Sequence, residues 1–189
     1  MIRLLLTCLI VLSLWVSPSL VSATAVTADG SFHQFHFGVA GTPSAAASSC
    51  GGTCTATTNP VAEQISSPPW TFSGPGTLFV LDLLVVSDRF EVFDNLVSLG
   101  ITSVVVNDGA NPCGGNIGCA TGNLAYSQAS FALGAGSHSV TLNVVQNAAG
   151  FTAGEGVFRI SANAVPEPGS LMLVVTGFLG VGLVARRRR

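Results

Sequence analysis

An all-β fold, an antiparallel sandwich of jelly-roll type, is predicted from three observations. The middle of the chain consists of runs rich in Val, Ile, Thr and Phe. Gly, Asn, Asp and Pro separate these runs at the spacing of turns in a sandwich, and no stretch of the middle carries a 3.6-residue hydrophobic period. Seven or eight strands in roughly 140 residues fit two antiparallel layers better than a closed barrel. Two apolar ends flank this middle, which divides the 189 residues into segments 1–25, 26–164 and 165–189.

In chain order, Ser31 to Val39 alternates, with Phe32, Gln34, His36 and Gly38 on one side and His33, Phe35, Phe37 and Val39 on the other. Thr77 to Val86 is long and apolar, the pattern of a strand buried on both faces or crossing the centre of a sandwich. Arg89 to Phe93, Leu96 to Leu99 and Ile101 to Val106 follow, with Asp94-Asn95 and Asn107-Asp108-Gly109 as turn signals. Ala129 to Leu133, Ser137 to Val145 and Gly154 to Ser161 complete the strands.

The first segment opens on Arg3, runs apolar from Leu4 to Val16 and closes on small residues through Ala23-Thr24-Ala25. A basic start, a short apolar centre and an A-x-A ending describe a signal peptide read by the Sec export machinery and cleaved after Ala25, with Ala23 as the second position. The last segment reads Val165-Pro166-Glu167-Pro168-Gly169-Ser170, continues without charge to Ala185 and ends on Arg186, Arg187, Arg188 and Arg189. A helix over 169–185 would be about 25 Å long at 1.5 Å per residue, enough to span a ~30 Å hydrocarbon core if the arginines snorkel. Those arginines act as a stop-transfer signal and keep the C-terminus cytoplasmic, so residues 26–164 face outward.

The Pro166-Glu167-Pro168 tripeptide, a short apolar helix containing Gly177, Gly180 and Gly182, and the terminal arginines together resemble the PEP-CTERM sorting signal of exopolysaccharide-producing Gram-negative bacteria. The resemblance implies recognition by an exosortase, an integral-membrane cysteine transpeptidase. It implies an inner-membrane precursor that is then delivered to the cell surface or extracellular matrix. The same kind of tail is also labelled an ice-binding-protein C-terminal domain, a label for the tail that implies no ice-binding activity. The physical logic is consistent, because Pro166 and Pro168 hold the segment around Glu167 extended, as a protease cleft requires. The blocks Asp88 to Asn95, Leu99 to Ser103 and Leu133 to Thr141 resemble an ectodomain that recurs among PEP-CTERM proteins, which implies a jelly-roll-like sandwich over about residues 70–161. Leu96 departs from that pattern, where a Gly commonly follows the Asp-Asn.

Removing Cys8 with the leader leaves Cys50, Cys54, Cys113 and Cys119. In an exported chain disulfides are the default, and four cysteines allow three connectivities. The local pairs Cys50–Cys54 and Cys113–Cys119 are favoured, since Gly51-Gly52 and Gly114-Gly115-Asn116 permit tight loops. A four-thiolate zinc site would call for a C-x2-C knuckle that neither pair has.

Only 8% of residues are charged, and none is Lys. Five of the seven arginines lie at the termini, which excludes a nucleic-acid binder working by phosphate neutralisation. Between Val26 and Val165 two arginines stand against eight carboxylates, a net charge of −6. Asp88, Glu91, Asp94 and Asp108 concentrate near adjoining turns and are weak candidates for calcium, the one ion such oxygen ligands would suit; otherwise no metal or cofactor is expected. His33 and His36 point to opposite faces of a strand and make a poor metal pair. Ser137-His138-Ser139 lacks a nucleophile elbow. Trp70 and Tyr126 are the large amphipathic rings a sugar platform would have to use.

The expected function is therefore that of a surface or biofilm-matrix protein, an exosortase substrate without catalytic activity that associates with exopolysaccharide. The alternatives are a carbohydrate- or calcium-binding module, or a secreted polysaccharide hydrolase, which would place two carboxylates across a cleft.

Overall fold

The computed structural model describes residues 22–41 and 46–163. Eight strands and one short helix follow in the order β1 (Thr24–Ala25), β2 (Asp29–Phe37), β3 (Glu63–Gln64), β4 (Trp70–Leu83), β5 (Arg89–Asp94), β6 (Val97–Ile101), α1 (Ile117–Thr121), β7 (Gln128–Gln146) and β8 (Gly154–Ala162). The all-β expectation holds. The membrane-helix expectation, 169–185, lies outside the described residues, as does nearly all of the expected leader, 1–25; among the described residues no helix is long and apolar enough to cross a membrane.

The strands form one hydrogen-bonded sheet in the order β3-β2-β8-β4-β7-β5-β6, with β1 added in parallel to β4. Where an antiparallel sandwich of jelly-roll type was expected, the strands are connected in one sheet and β1 and β3 pair in parallel, and β4 and β7 are longer than expected. The runs 129–133 and 137–145 are one 19-residue strand, and β4 reaches back to Trp70 ahead of the expected Thr77. The register of the β4–β7 pair shifts between Gly74 and Gly76, a bulge of the kind that bends a sheet.

The sheet folds over so that β2 and β5, four places apart in order, meet across the interior. Phe90 of β5 packs edge-on against Phe35 at 5.4 Å and Phe37 at 5.0 Å. Trp70 lies 4.4 Å from Phe158 in the same core, with Leu78, Val80, Val92, Leu142 and Ile160. Segment 46–48 latches the fold by bonding to both β2 and β7: Ser48 N donates to the His36 carbonyl at 2.8 Å and Ala47 N to that of Leu142 at 2.9 Å. Gly156 of β8 has the Phe35 ring directly above it, where any Cβ would collide with the aromatic carbons.

The opposite face of β4 is also covered, as the long apolar run predicted. Leu81 and Leu83 join Phe32, Val157, Ile117, Ala120 and Tyr126 in a second cluster. Its cover is two irregular segments that bond to each other, with Thr58 N donating to the Gly115 carbonyl and Ile117 N to that of Thr58. α1 is the helix the sequence did not announce. Five residues are too few to show a period, and its cues are local: Asn116 caps it by accepting from Cys119 N at 2.9 Å, and Ile117 and Ala120 are buried.

β6 replaces the two expected strands 96–99 and 101–106. It ends at Ile101, where Thr102 turns inward to accept from Phe90 N at 3.0 Å. The β5–β6 turn forms despite Leu96, with Asn95 at φ 49° and Leu96 at φ 67°, the left-handed pair a tight type I′ turn requires.

Candidate functional site

Two polar centres stand at the ends of β5. At its C-terminal end Asp94 meets His138 of β7, with Nδ1 2.8 Å from Asp94 Oδ2. The other ring nitrogen, Nε2, lies 3.0 Å from the Gly134 carbonyl. Carboxylate and carbonyl are both acceptors, so both bonds exist only when both nitrogens carry protons: the geometry describes an imidazolium. Burial alone would lower the His138 pKa, but the Asp94 bond, the Gly134 bond and the Asp94 charge together hold it above the ordinary value. The ring stacks on Phe72 at 4.8 Å, a favourable place for a cation. Asp94 Oδ1 accepts from Ser139 N at 3.0 Å, and Asn95 Nδ2 donates to the Ser137 carbonyl at 3.2 Å, tying the turn to β7. Gly74 makes room for the arrangement, since a Cβ there would strike the Gly134 carbonyl and the His138 ring. With Nε2 held by Gly134, His138 is a clamp between strands and is not poised to take a proton from Ser137 or Ser139.

Before the N-terminal end of β5, Asp82 and Asp88 are both buried. Asp82 Oδ2 accepts from Asp88 N at 3.1 Å, while Oδ1 has no hydrogen-bond partner. By strand alternation Asp82 shares the inner face with Leu78 and Val80. Burial first, and then the charge of Asp88, push its pKa well above the usual carboxylate range. Burial likewise raises Asp88 to about 6, against the opposing bonds from Ala148 N at 2.8 Å and Asn147 Nδ2 at 3.5 Å. The loop between them is locally strained, with Leu84 at φ 67° and Ser87 at φ 98°. Ser87 Oγ donates to the Val106 carbonyl at 2.7 Å and Tyr126 OH to that of Leu84 at 3.0 Å, which hold it in place.

A third polar network is complete. Glu155 Oε1 accepts from Thr55 N at 2.8 Å and Oε2 from Gln34 Nε2 at 2.7 Å. It fixes the loop closed by the Cys50–Cys54 disulfide against β2 and β8. The second disulfide joins Cys113 to Cys119 around the start of α1. Both are the local pairs the spacing favoured, with Cα–Cα distances of 5.2 and 5.6 Å.

Among the described residues, two surface clefts lie close to these polar networks. One of about 280 Å³ is lined by His36, Thr53, Leu84, Phe151 and Glu155 among others. Another, of about 480 Å³, lies between β1 and the β5–β6 turn, over Phe72, Ser137 and His138. The first has one carboxylate, Glu155, with both oxygens already bonded; the second has none in its lining.

The calcium candidates do not converge. Asp88 and Asp94 serve the two centres above, Glu91 Oε1 accepts from Ser98 Oγ at 2.7 Å, and Asp108 Oδ1 accepts from Ala110 N at 3.0 Å. Among the described residues no group of three or more His, Cys, Asp or Glu is placed to hold a metal. Trp70 and Tyr126 are fully buried, so neither offers a sugar platform. His33 lies against Phe158 at 5.4 Å while His36 lines a cleft. Sequence reasoning missed Asp82 and Glu155; the legible signal for Asp82 was one carboxylate inside an otherwise apolar run.

Of the sorting and export residues, Ala23 and Ala25 are described, Ala25 within β1. Val165, Pro166, Glu167, Pro168, Gly169, Ser170 and Arg186 to Arg189 lie outside the described residues. No curated protein and no solved structure matches the chain. A family model for the PEP-CTERM protein-sorting motif matches residues 164–189, beginning one residue beyond the last described position. The tail that continues from β8 therefore carries a PEP-CTERM protein-sorting motif, which implies processing by an exosortase.

Proposed function

We propose that this chain is a surface or biofilm-matrix protein whose β domain is delivered by an exosortase and acts there as a stable, non-catalytic structural or adhesive unit. The observation that carries the reading is the sorting motif at 164–189 directly downstream of a folded, disulfide-containing β domain. Export, an inner-membrane precursor and an exopolysaccharide-rich destination follow from the tripartite tail. The non-catalytic part is supported by the occupied donors and acceptors: His138 is bonded at both nitrogens and Glu155 at both oxygens. The polysaccharide-hydrolase alternative lacks the paired carboxylates its chemistry needs in either cleft.

The test is to replace Pro166, Glu167 and Pro168 by Ala in a host that encodes an exosortase. The expected result is unprocessed protein in the inner membrane with the β domain still folded, and release at the wild-type level overturns the sorting reading. Incubation of the released domain with matrix polysaccharide should yield no shortened chains; turnover lost on Glu155→Gln overturns the non-catalytic one.

A further inference from the structure

We infer that the exported chain begins at Thr24, the leader being removed by hydrolysis of the Ala23–Thr24 bond. Water adds across that peptide bond in a membrane-bound leader peptidase; Ala23 departs as a carboxylate and Thr24 keeps a free α-amino group. The inference rests on the export reading and decides between the two bonds that the small residues allow, after Ala25 or after Ala23.

β1 is what separates them. Thr24 pairs with Trp70 and Ala25 with Thr71, in parallel to β4. Thr24 N donates to the Pro69 carbonyl at 2.9 Å, Thr24 Oγ1 to the Ser67 carbonyl at 2.9 Å, and Val26 N to the Thr71 carbonyl at 2.8 Å. Val26 and Ala28 pack against the inner core, and Ala25 with Val26 forms one wall of the 480 Å³ cleft over His138.

A cut after Ala25 discards both Thr24 bonds and half of that wall, and leaves the Pro69 and Ser67 carbonyls without these donors. A cut after Ala23 keeps every one of these contacts. It also converts the Thr24 amide into an ammonium aimed at the Pro69 carbonyl, and a charged donor makes the stronger bond. That cation enters a domain whose net charge from Val26 to Val165 is −6. Cleavage precedes folding, so the fold does not steer the peptidase; it identifies which of two permissible products is the whole domain. Ala23 supplies the small residue at this cut and Val21 a compact aliphatic one two positions before it.

Intact-mass measurement and N-terminal sequencing of the full chain exported by a Gram-negative host give the answer. A start at Thr24 is the expected result. A start at Val26 overturns the inference, and so does an uncleaved Met1 start, which would make the N-terminal segment an anchor in place of a leader; both leave export standing. A second variant deletes Thr24 and Ala25, so that Ala23 directly precedes Val26. Its exported domain should melt about 4 °C below the parent, the shift that loss of a few exposed hydrogen bonds produces in a domain of this size. An unchanged melting temperature overturns the role given to β1.

Discussion

Asp88 and Asp94 lie six residues apart at opposite ends of one strand and meet opposite fates. Asp94 receives a cation and a backbone amide, and its partner His138 is held charged. Asp88 sits beside a second buried carboxyl and no cation, and its pKa rises to about 6. A carboxyl that is desolvated without a counter-charge binds its proton more tightly, and so does an imidazole that faces a carboxylate. The residue type is the same in both places, so what differs is the cross-strand neighbour, and that is set by how β5 registers on β7.

The largest effect should come from removing the paired acid. Asp94→Ala leaves the His138 imidazolium buried without its anion and Ser139 N without its acceptor, at a cost of about 2–4 kcal/mol near pH 6. Urea unfolding measures it, and a loss below 0.5 kcal/mol (a few tenths is typical of a solvated surface site) would deny that the centre clamps the strands.

At the other end the sign reverses. Asp82→Asn preserves an acceptor for Asp88 N and removes a carboxyl that ionises unfavourably, so the variant should gain about 1–3 kcal/mol at pH 8. Destabilisation at pH 8 would show that the Asp82 charge supports the strained loop from Leu84 to Ser87.

The two centres share one pH dependence, for different reasons. Asp88 titrates higher in the fold than its ordinary 3.8, so its contribution is complete below that value and is lost as the pH rises to about 6. His138 is also raised, so its contribution is complete below 6.5 and is lost above it, as the pH passes through the folded value. His33, lowered by burial, works the other way: its contribution is present above 6.5 and is lost on acidification. The melting temperature should therefore be higher at pH 5.5 than at pH 8. Asp88→Asn should flatten the lower part of that slope and His138→Gln the upper part. A melting temperature that climbs toward pH 8 in the parent would contradict both assignments.

The smallest effect concerns the turn that carries Asp94 into β6. Leu96 is 89% exposed and holds φ 67°, where a glycine is unstrained. Leu96→Gly should stabilise by up to about 1 kcal/mol, seen as a small rise in the denaturation midpoint with His138 unchanged. A loss would mean that the exposed side chain finds a partner in the folded domain.

The runs that became β2, β4, β5 and β8 and the two disulfides were legible because each is a local property. Alternation around Phe35 and Phe37, the apolar run through Leu81, and glycines within each cysteine pair need only a few neighbouring residues. The continuity of β7 was not legible: Leu133-Gly134-Ala135-Gly136 has the look of a turn, and only pairing with β4 through its own Gly74 and Gly76 makes it a bulge inside one strand. The polar centres failed for the same reason. His138 and Asp94 are 44 residues apart, and nothing in either local sequence says that the Gly134 carbonyl takes the remaining ring nitrogen. The carboxylates near the turns were visible as a group, but a group in sequence became four separate attachments in space.

The position of β8 has a mechanical consequence. It lies inside the sheet, antiparallel to both β2 and β4, and its last residue, Ala162, leads within two positions to the start of the sorting motif. Ala162 N also bonds to the Ala28 carbonyl and Asn163 N to that of Pro75. A force applied through a tethered tail acts along β8, perpendicular to the hydrogen bonds of two ladders. Those bonds are loaded in shear and must give way together instead of unzipping one at a time from an edge. The chain downstream is thus tied to one of the most firmly held strands, and any tension applied to it is borne by the sheet interior.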